Sequence, residues 1–369
     1  MRRCTRCVMD NRIDKTIRFF EDGTCSYCND ALKRMKNEYF PNSAGKKSLD
    51  DIMAQIKKAG TGKKYDCIAG LSGGVDSTYV VYLGFRYGLK VLAVHVDDGL
   101  DAEIAVKNIT SLCESTNTNL VMFRPDQEQY KDLIRSFFLA RVPNIAVPQD
   151  NVIATALTET ANRNELKYLL SGVNFAQECI LERSVGVNAF DRKHITAIHK
   201  RFGRGGIDRL NLTGFYGRYI HKRYFSKMVH VLPLNLIDYN LNNVLTELAD
   251  FCGYQYYGGK HYESILTRFL QCFYLPVKYG FDKRKSHFSS LIVSGQMTRE
   301  EALAKLANDP YASKELKEYD FNFIADYLGM TRKEFDDLLA LPAKQHQDYP
   351  VSVVNSYAGI ARKLRKYLG

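Results

Sequence analysis

No stretch of this 369-residue chain is long and apolar enough to span a bilayer, which sets aside a membrane-spanning role. The opening Met1-Arg2-Arg3-Cys4 lacks the apolar segment of a secretory signal, so a cytoplasmic, reducing setting is expected. There is also no internal repeat and no low-complexity tract. Basic residues exceed acidic ones, 52 to 41, for a net charge of +11. They nevertheless form no long run and cluster only at Arg201–Arg204 and Lys283-Arg284-Lys285. Nucleic acid, an acidic membrane surface and small anionic substrates are all compatible with that excess. The length exceeds one typical domain, so two or three units are expected.

What is present begins with Ser72-Gly73-Gly74-Val75-Asp76-Ser77. The apolar run Tyr65–Leu71 before it reads as a buried strand, and Thr78–Phe85 after it reads as a helix. Glycines at such a turn let backbone N–H groups close around phosphate oxygens, and the helix dipole favours the negative charge. No lysine lies inside the turn, so this is not the Gly-Lys-Ser/Thr phosphate loop. The string resembles the PP-loop signature Ser-Gly-Gly-x-Asp-Ser of enzymes that split ATP between its α- and β-phosphates. That resemblance implies ATP and Mg2+ as cofactors, with pyrophosphate held by Ser72, Gly73, Gly74, Asp76 and Ser77.

A second apolar run, Lys90–Val96, ends at Asp97-Asp98-Gly99 and completes a βαβ unit, so the two strands should lie parallel. Leu120–Phe123 and Tyr168–Ser171 are further strand candidates, with a helix opening at Asn151 between them. The fold class expected is α/β, a doubly wound and mainly parallel sheet, with ligands beyond the carboxyl ends of the strands. The segment around Val96 and Asp97 resembles the family's adenine edge. Gly172-Val173-Asn174, followed by Glu178, resembles its later strand-end motif, which places Gly172, Asn174 and Glu178 near the phosphates or their metal. A plain glycine turn with Asn174 as a helix cap is the alternative. Val229–Leu234 reads as a short edge strand because of Pro233. Gly203-Arg204-Gly205-Gly206 reads as an active-site loop or insertion.

Cys4-x-x-Cys7 and Cys25-x-x-Cys28 are separated by seventeen residues, the spacing of a zinc ribbon. Two such knuckles close a tetrahedron with no open position, so Zn2+ here is expected to be structural; disulfides are the rival explanation, which a reducing cytosol disfavours. Cys67, Cys113, Cys179, Cys252 and Cys272 form no short-spaced pair and read as small buried side chains. The organisation expected is a zinc ribbon at 1–30, a connector at 31–62, an ATP-binding domain at 63–236 and a mainly helical substrate or partner region at 237–369. Thr298-x-x-Glu301 and Thr331-x-x-Glu334 mark two helix starts in that last region.

Three segments in order, Cys4–Asp10 with Gly23–Cys28, Leu71–Ser77, and Lys278–Ser290 with Ser294–Ala302, resemble the N-acetyl sugar amidotransferases over nearly the full length. That resemblance implies conversion of an acetamido group on a bacterial surface sugar to an acetamidino group. O-Adenylation would precede attack by ammonia. No fused glutaminase is visible, so the family implies a separate glutaminase subunit, of the kind that serves imidazole glycerol phosphate synthesis. Asp76, Lys283 and Arg284 are the candidate catalytic residues, and Asp282, His287 and His194 are candidates for contact with the sugar. The Tyr254–Tyr262 segment offers rings that would stack on a sugar or pack on the core. The rival reading is a zinc-ribbon PP-loop enzyme of tRNA thiolation, and a further one is a non-enzymatic scaffold with a degenerate ATP site.

Overall fold

The computed structural model describes residues 2–12, 14, 16–182, 188–214 and 228–352. Its strands are β1 (Cys67–Gly70), β2 (Val91–Val96), β3 (Asn119–Phe123), β4 (Tyr168–Leu170) and β5 (Val229–Val231). They form one sheet in the order β3-β2-β1-β4-β5 with every pairing parallel. Alternate residues explain why these runs are almost wholly apolar. Cys67, Ala69, Val91, Ala93, Leu170 and Val231 enter the core on one face, whereas Ile68, Leu92, Val94 and Leu169 enter the core on the other. A strand covered on both faces has no polar side to show. Pro233 falls just beyond edge strand β5, in a short 3-10 turn.

Helices cover both faces, so the sheet is doubly wound. α2 (Ser43–Ala59), α3 (Val75–Arg86) and α4 (Glu103–Thr116) supply Leu49, Met53, Val80, Ile109 and Leu112 to the first face. α5 (Gln127–Ala140) follows β3, and α6 (Val147–Arg163) lays Leu157 and Ala161 on the second face. α7 (Phe175–Glu178) follows β4, and α8 (Arg192–Phe202) packs on α5. α9 (Leu241–Cys252) returns to the first face through Val244 and Leu248.

The chain then becomes helical: α10 (Ile265–Phe269), a π turn at Leu270–Tyr274, α11 (Leu275–Tyr279), α12 (Arg284–Val293), α13 (Arg299–Leu306), α14 (Lys314–Tyr327) and α15 (Arg332–Ala340). Both expected capping boxes form, at Thr298 with Glu301 and at Thr331 with Glu334. A second core joins this region to the sheet-bearing half: Phe138 from α5 packs beside Phe269 and Phe335, and Phe321 packs on Phe269. Residues 353–369 of the expected carboxy-terminal region lie outside the described residues.

The amino-terminal module precedes α1 (Ser26–Glu38) and docks on α12 and α7 through a shared core that includes Phe175, Cys179 and Val293. A salt bridge of 2.6 Å joins Lys285 to the buried Asp10, and Arg299 donates to the carbonyls of Cys4 and Cys7. Burial alone would raise the Asp10 carboxyl, but the Lys285 ammonium outweighs it and holds the pKa below its usual value. Among the described residues, no helix is long and apolar enough to cross a membrane.

Candidate active site

β1 ends, the chain turns through Ser72-Gly73-Gly74, and α3 begins at once, aiming its N-terminus at the turn. Gly73 sits at φ +76°, and a Cβ there would lie 2.4 Å from the Ala105 carbonyl oxygen, so only glycine fits. Ser72 Oγ and Ser77 Oγ are 3.1 Å apart, and Ser77 Oγ accepts the Ser72 N–H. On the other side of the strand order's reversal, Gly172 follows β4 so closely that a Cβ would meet the Asp76 and Ser77 backbone at 3.0 Å. The cradle therefore lies at the carboxyl ends of β1 and β4, where such sheets bind ligands.

A loop from the carboxy-terminal half covers the cradle. Tyr254 donates to the Gly73 carbonyl, and Tyr257 Oη accepts the Val75 N–H. Lys260 Nζ lies 2.7 Å from Asp76 Oδ2, 3.0 Å from Glu178 Oε1 and 3.0 Å from Gln177 Oε1. Burial opposes the lysine charge, yet Asp76 and Glu178 outweigh it and raise its pKa well above the usual value. Tyr239 donates to the other Asp76 oxygen, and Ser72 Oγ donates to Glu263 Oε1 at 3.2 Å. The turn lacks a lysine of its own, and the fold supplies one from nearly two hundred residues away.

From Ser72 and Ser77 a cavity of about 650 Å³ runs past Val94 and Val96 at the end of β2 to Lys283 and His287. Its floor is a buried polar network. His95 Nδ1 lies 2.9 Å from the Leu71 carbonyl and Nε2 lies 3.1 Å from Asp101. Both neighbours are acceptors, so the ring carries two protons. Burial works against this charge, and Asp101 overrides it to raise the histidine pKa. This imidazolium ties the residue before the cradle to β2. Asp98, which accepts from Tyr130 and Gln149, is pushed up to about 6 by burial and by Asp101.

The structure sorts the residues singled out from the sequence. Ser72, Gly74, Asp76, Ser77, Gly172, Glu178, Val96, Lys283 and His287 all face the cradle or the cavity, and Gly73 forms the turn itself. Five do not. Asp97 pairs with Arg124 at 2.7 Å on the outer side of the strand end. Asn174 spends its side-chain oxygen capping α7, accepting the Gln177 N–H at 2.9 Å, which is the alternative weighed for it. Arg284 and Asp282 bind each other at 2.8 Å, and Arg284 further donates to the carbonyls of Lys305 and Asn308, so both act in fixing α12 against α13. His194 lies in the second core, against Phe137 and His346. The Gly203–Gly206 segment also sits apart, with the Arg204 and Gly205 N–H groups donating to Asp132 on α5. Sequence reasoning missed Lys260, Glu263, Glu182 and Tyr239. The Tyr254–Tyr262 string drew notice only for its rings, although Lys260, His261 and Glu263 supply the charge.

The four knuckle cysteines are fully buried, and their sulfurs all lie within 4.8 Å of one another. Three of the S–S separations are 3.7 Å. Zn–S bonds of about 2.3 Å give tetrahedron edges of about 3.8 Å, so the spacing fits Zn2+. The Cys7 and Cys25 N–H groups and Arg6 point at the sulfurs, as thiolates would require.

Residues 263–364 match the family model described as LPS biosynthesis protein WbpG-like, C-terminal domain. No curated protein matches the chain. Among solved structures, an NH3-dependent NAD synthetase from Campylobacter jejuni is 17% identical over 36% of this chain and 58% of its own, with a TM-score of 0.28. This chain thus covers less than two thirds of that synthetase. An NMN synthetase from Francisella tularensis is 13% identical over 82% of this chain and 99% of its own, with a TM-score of 0.35. The matched region supplies Glu263, Lys283 and His287 to the cavity. Over residues 263–364 the chain is thus similar to the C-terminal domain of WbpG-like proteins of lipopolysaccharide biosynthesis, in line with the resemblance read from the motifs.

Proposed function

We propose that this chain adenylates the acetamido oxygen of a bacterial surface sugar with ATP and then replaces that oxygen with ammonia, giving an acetamidino group, AMP and pyrophosphate. One observation carries the reading: the PP-loop cradle opens into a cavity whose far wall is built by the region that matches a lipopolysaccharide-biosynthesis domain. An amide oxygen is a poor leaving group, and a phosphate ester makes it a good one. Ser72, Gly73, Gly74 and Ser77 present hydroxyl and N–H donors to the departing pyrophosphate, with the α3 dipole behind them. Lys260 adds a positive charge where negative charge accumulates on the leaving oxygens.

Mg2+ takes oxygen ligands, and the Asp76 and Glu178 carboxylates already converge on a cation, the Lys260 ammonium. The donor set fits Mg2+ once Lys260 moves towards the phosphates, and the ion would then shield the phosphate charge. Val94–Val96 form the wall against which the adenine would lie. The zinc-type cluster sits in the buried core shared by the amino-terminal module, α7 and α12, away from the cavity, and has a structural part.

Ammonia is expected from a separate glutaminase subunit, and the work would take place in the cytoplasm. The tRNA-thiolation alternative needs sulfur at the nucleotide, and among the described residues no cysteine lines the cavity. The test is incubation of the purified chain with ATP, ammonium and a panel of diacetamido sugars. Mass spectrometry should show one amide oxygen replaced by an imino group. Turnover that depends on tRNA and not on any acetamido sugar would overturn the assignment.

A further inference from the structure

Among the described residues, four buried polar atoms around the cradle and cavity have no hydrogen-bond partner: Gln177 Nε2, Glu182 Oε1, Glu263 Oε2 and His287 Nε2. Buried polar atoms are seldom left unpaired, so orphans along the wall of one cleft mark a place that a polar ligand fills. Glu182 and His287 share the far end of the cavity with Lys283. Lys283 Nζ holds Glu182 Oε2 at 3.1 Å and leaves Oε1 free. Lys283 and His287 lie one helical turn apart at the start of α12, on the same side. His287 Nδ1 is 3.4 Å from the Gln177 carbonyl. A carbonyl only accepts, so Nδ1 carries the ring proton and Nε2 presents a lone pair. Burial, then the charges of Lys283, His261 and Lys260, hold the ring's pKa well below its usual value. Both free atoms are therefore acceptors. A sugar carboxylate or phosphate would bring only further acceptors to them, which disfavours the expectation that His287 orients an anion. A small ligand made of N–H donors suits them.

We propose that Glu182 Oε1 and His287 Nε2 form the ammonia-receiving site of the cavity, each accepting one N–H so that the nitrogen lone pair stays free for attack. The inference rests on the amidination reading and assigns the second half of that reaction to named atoms. The ammonia lone pair forms the new C–N bond to the adenylated carbon as the C=N π pair moves onto the substrate nitrogen. One hydrogen passes from the incoming nitrogen to the substrate nitrogen, and two remain on the incoming one. The C–O bond then breaks, its electron pair leaves on the AMP oxygen, and an amidinium remains.

Two measurements on the full chain test this. Broadening of the 15N-ammonium resonance reads binding without any sugar, and the wild-type chain should broaden it while E182Q and H287Q do not. Turnover with ammonium chloride reads the chemistry. E182Q should raise KM for ammonium about tenfold or more. H287Q should do the same. Should H287Q fail to fold, E182Q carries the binding test alone. Unaltered broadening in both variants would overturn the site, as would an unchanged KM for ammonium in both. Wild-type broadening with no amidine from any acetamido sugar would overturn the proposed function and leave the ammonia site standing.

Discussion

Replacing Lys260 with methionine probes the centre of the site, because it keeps the side chain's length and removes its charge. Lys260 neutralises Asp76 and Glu178, whose side chains are only 19% and 17% exposed. Removing one partner from a buried charge cluster costs about 3–5 kcal/mol. The residual solvent contact at all three side chains reduces that to about 2–3 kcal/mol. With an unfolding entropy of about 2.1 cal/mol/K per residue, this corresponds to a fall of about 3–4 °C in Tm. The variant should also gain what the lysine had filled, an oxygen-lined cation site. Mg2+ without nucleotide should therefore raise the Tm of K260M and leave that of the wild type unchanged. Scanning calorimetry with and without Mg2+ reads both effects. A variant as stable as the wild type, or a wild type equally stabilised by Mg2+, would refute the claim that Lys260 occupies the cation position between the two carboxylates.

Gly172→Ala puts a methyl group 3.0 Å from the Asp76 and Ser77 backbone. It should cost about 1–3 kcal/mol and cut pyrophosphate release more than the loss of fold explains, read by comparing urea midpoints with rates. Gly70→Ala, whose Cβ would make ordinary contact with Leu157 at 3.4 Å, is the control and should do little. His346 accepts the Asn144 N–H on Nε2 and faces His194 through Nδ1, and His194 faces the Pro350 carbonyl. Burial lowers the pKa of both rings, that of His346 to about 3 from 6.5. Both are neutral in the fold, so stability is full above pH 6.5, where the unfolded chain is neutral too. It is lost as pH falls below 6.5, for His346 by about 1.4 kcal/mol per pH unit down towards 3, and in the same direction for His194. Urea midpoints from pH 8 to pH 5 should show that loss, and H346Q should flatten it. Chelation of zinc should lower the Tm and loosen the module held by Lys285 and Arg299, and an unchanged Tm would contradict a structural metal.

The sheet was legible because a strand buried on both faces has to be written as an apolar run, as at Cys67–Gly70 and Val91–Val96. The cradle was legible because Gly73 and Gly172 answer to local geometry, a positive φ and a close backbone approach. The cysteine knuckles were legible because their spacing is itself the ligand geometry. Lys260 was not, because its meaning depends on which distant carboxylates it meets, and no local pattern records that Asp76 and Glu178 lie under it. Arg284 and Asp282 misled for the opposite reason. A basic string next to a turn looks the same whether its charges face a ligand or bind each other, and two residues apart they bind each other. Asn174 likewise sat in a motif-like string, yet a helix start at Phe175 needed its oxygen more directly. His287 was noticed for its polarity, and only the burial of Nε2 and the carbonyl facing Nδ1 show which nitrogen is available.

The account rests on the cradle holding pyrophosphate while adenylate passes to an oxygen of the substrate. The most direct test is the nucleotide product formed by the purified chain with ATP and an acetamido sugar in the absence of ammonium. AMP-linked substrate with pyrophosphate is the predicted outcome. ADP with inorganic phosphate would contradict it.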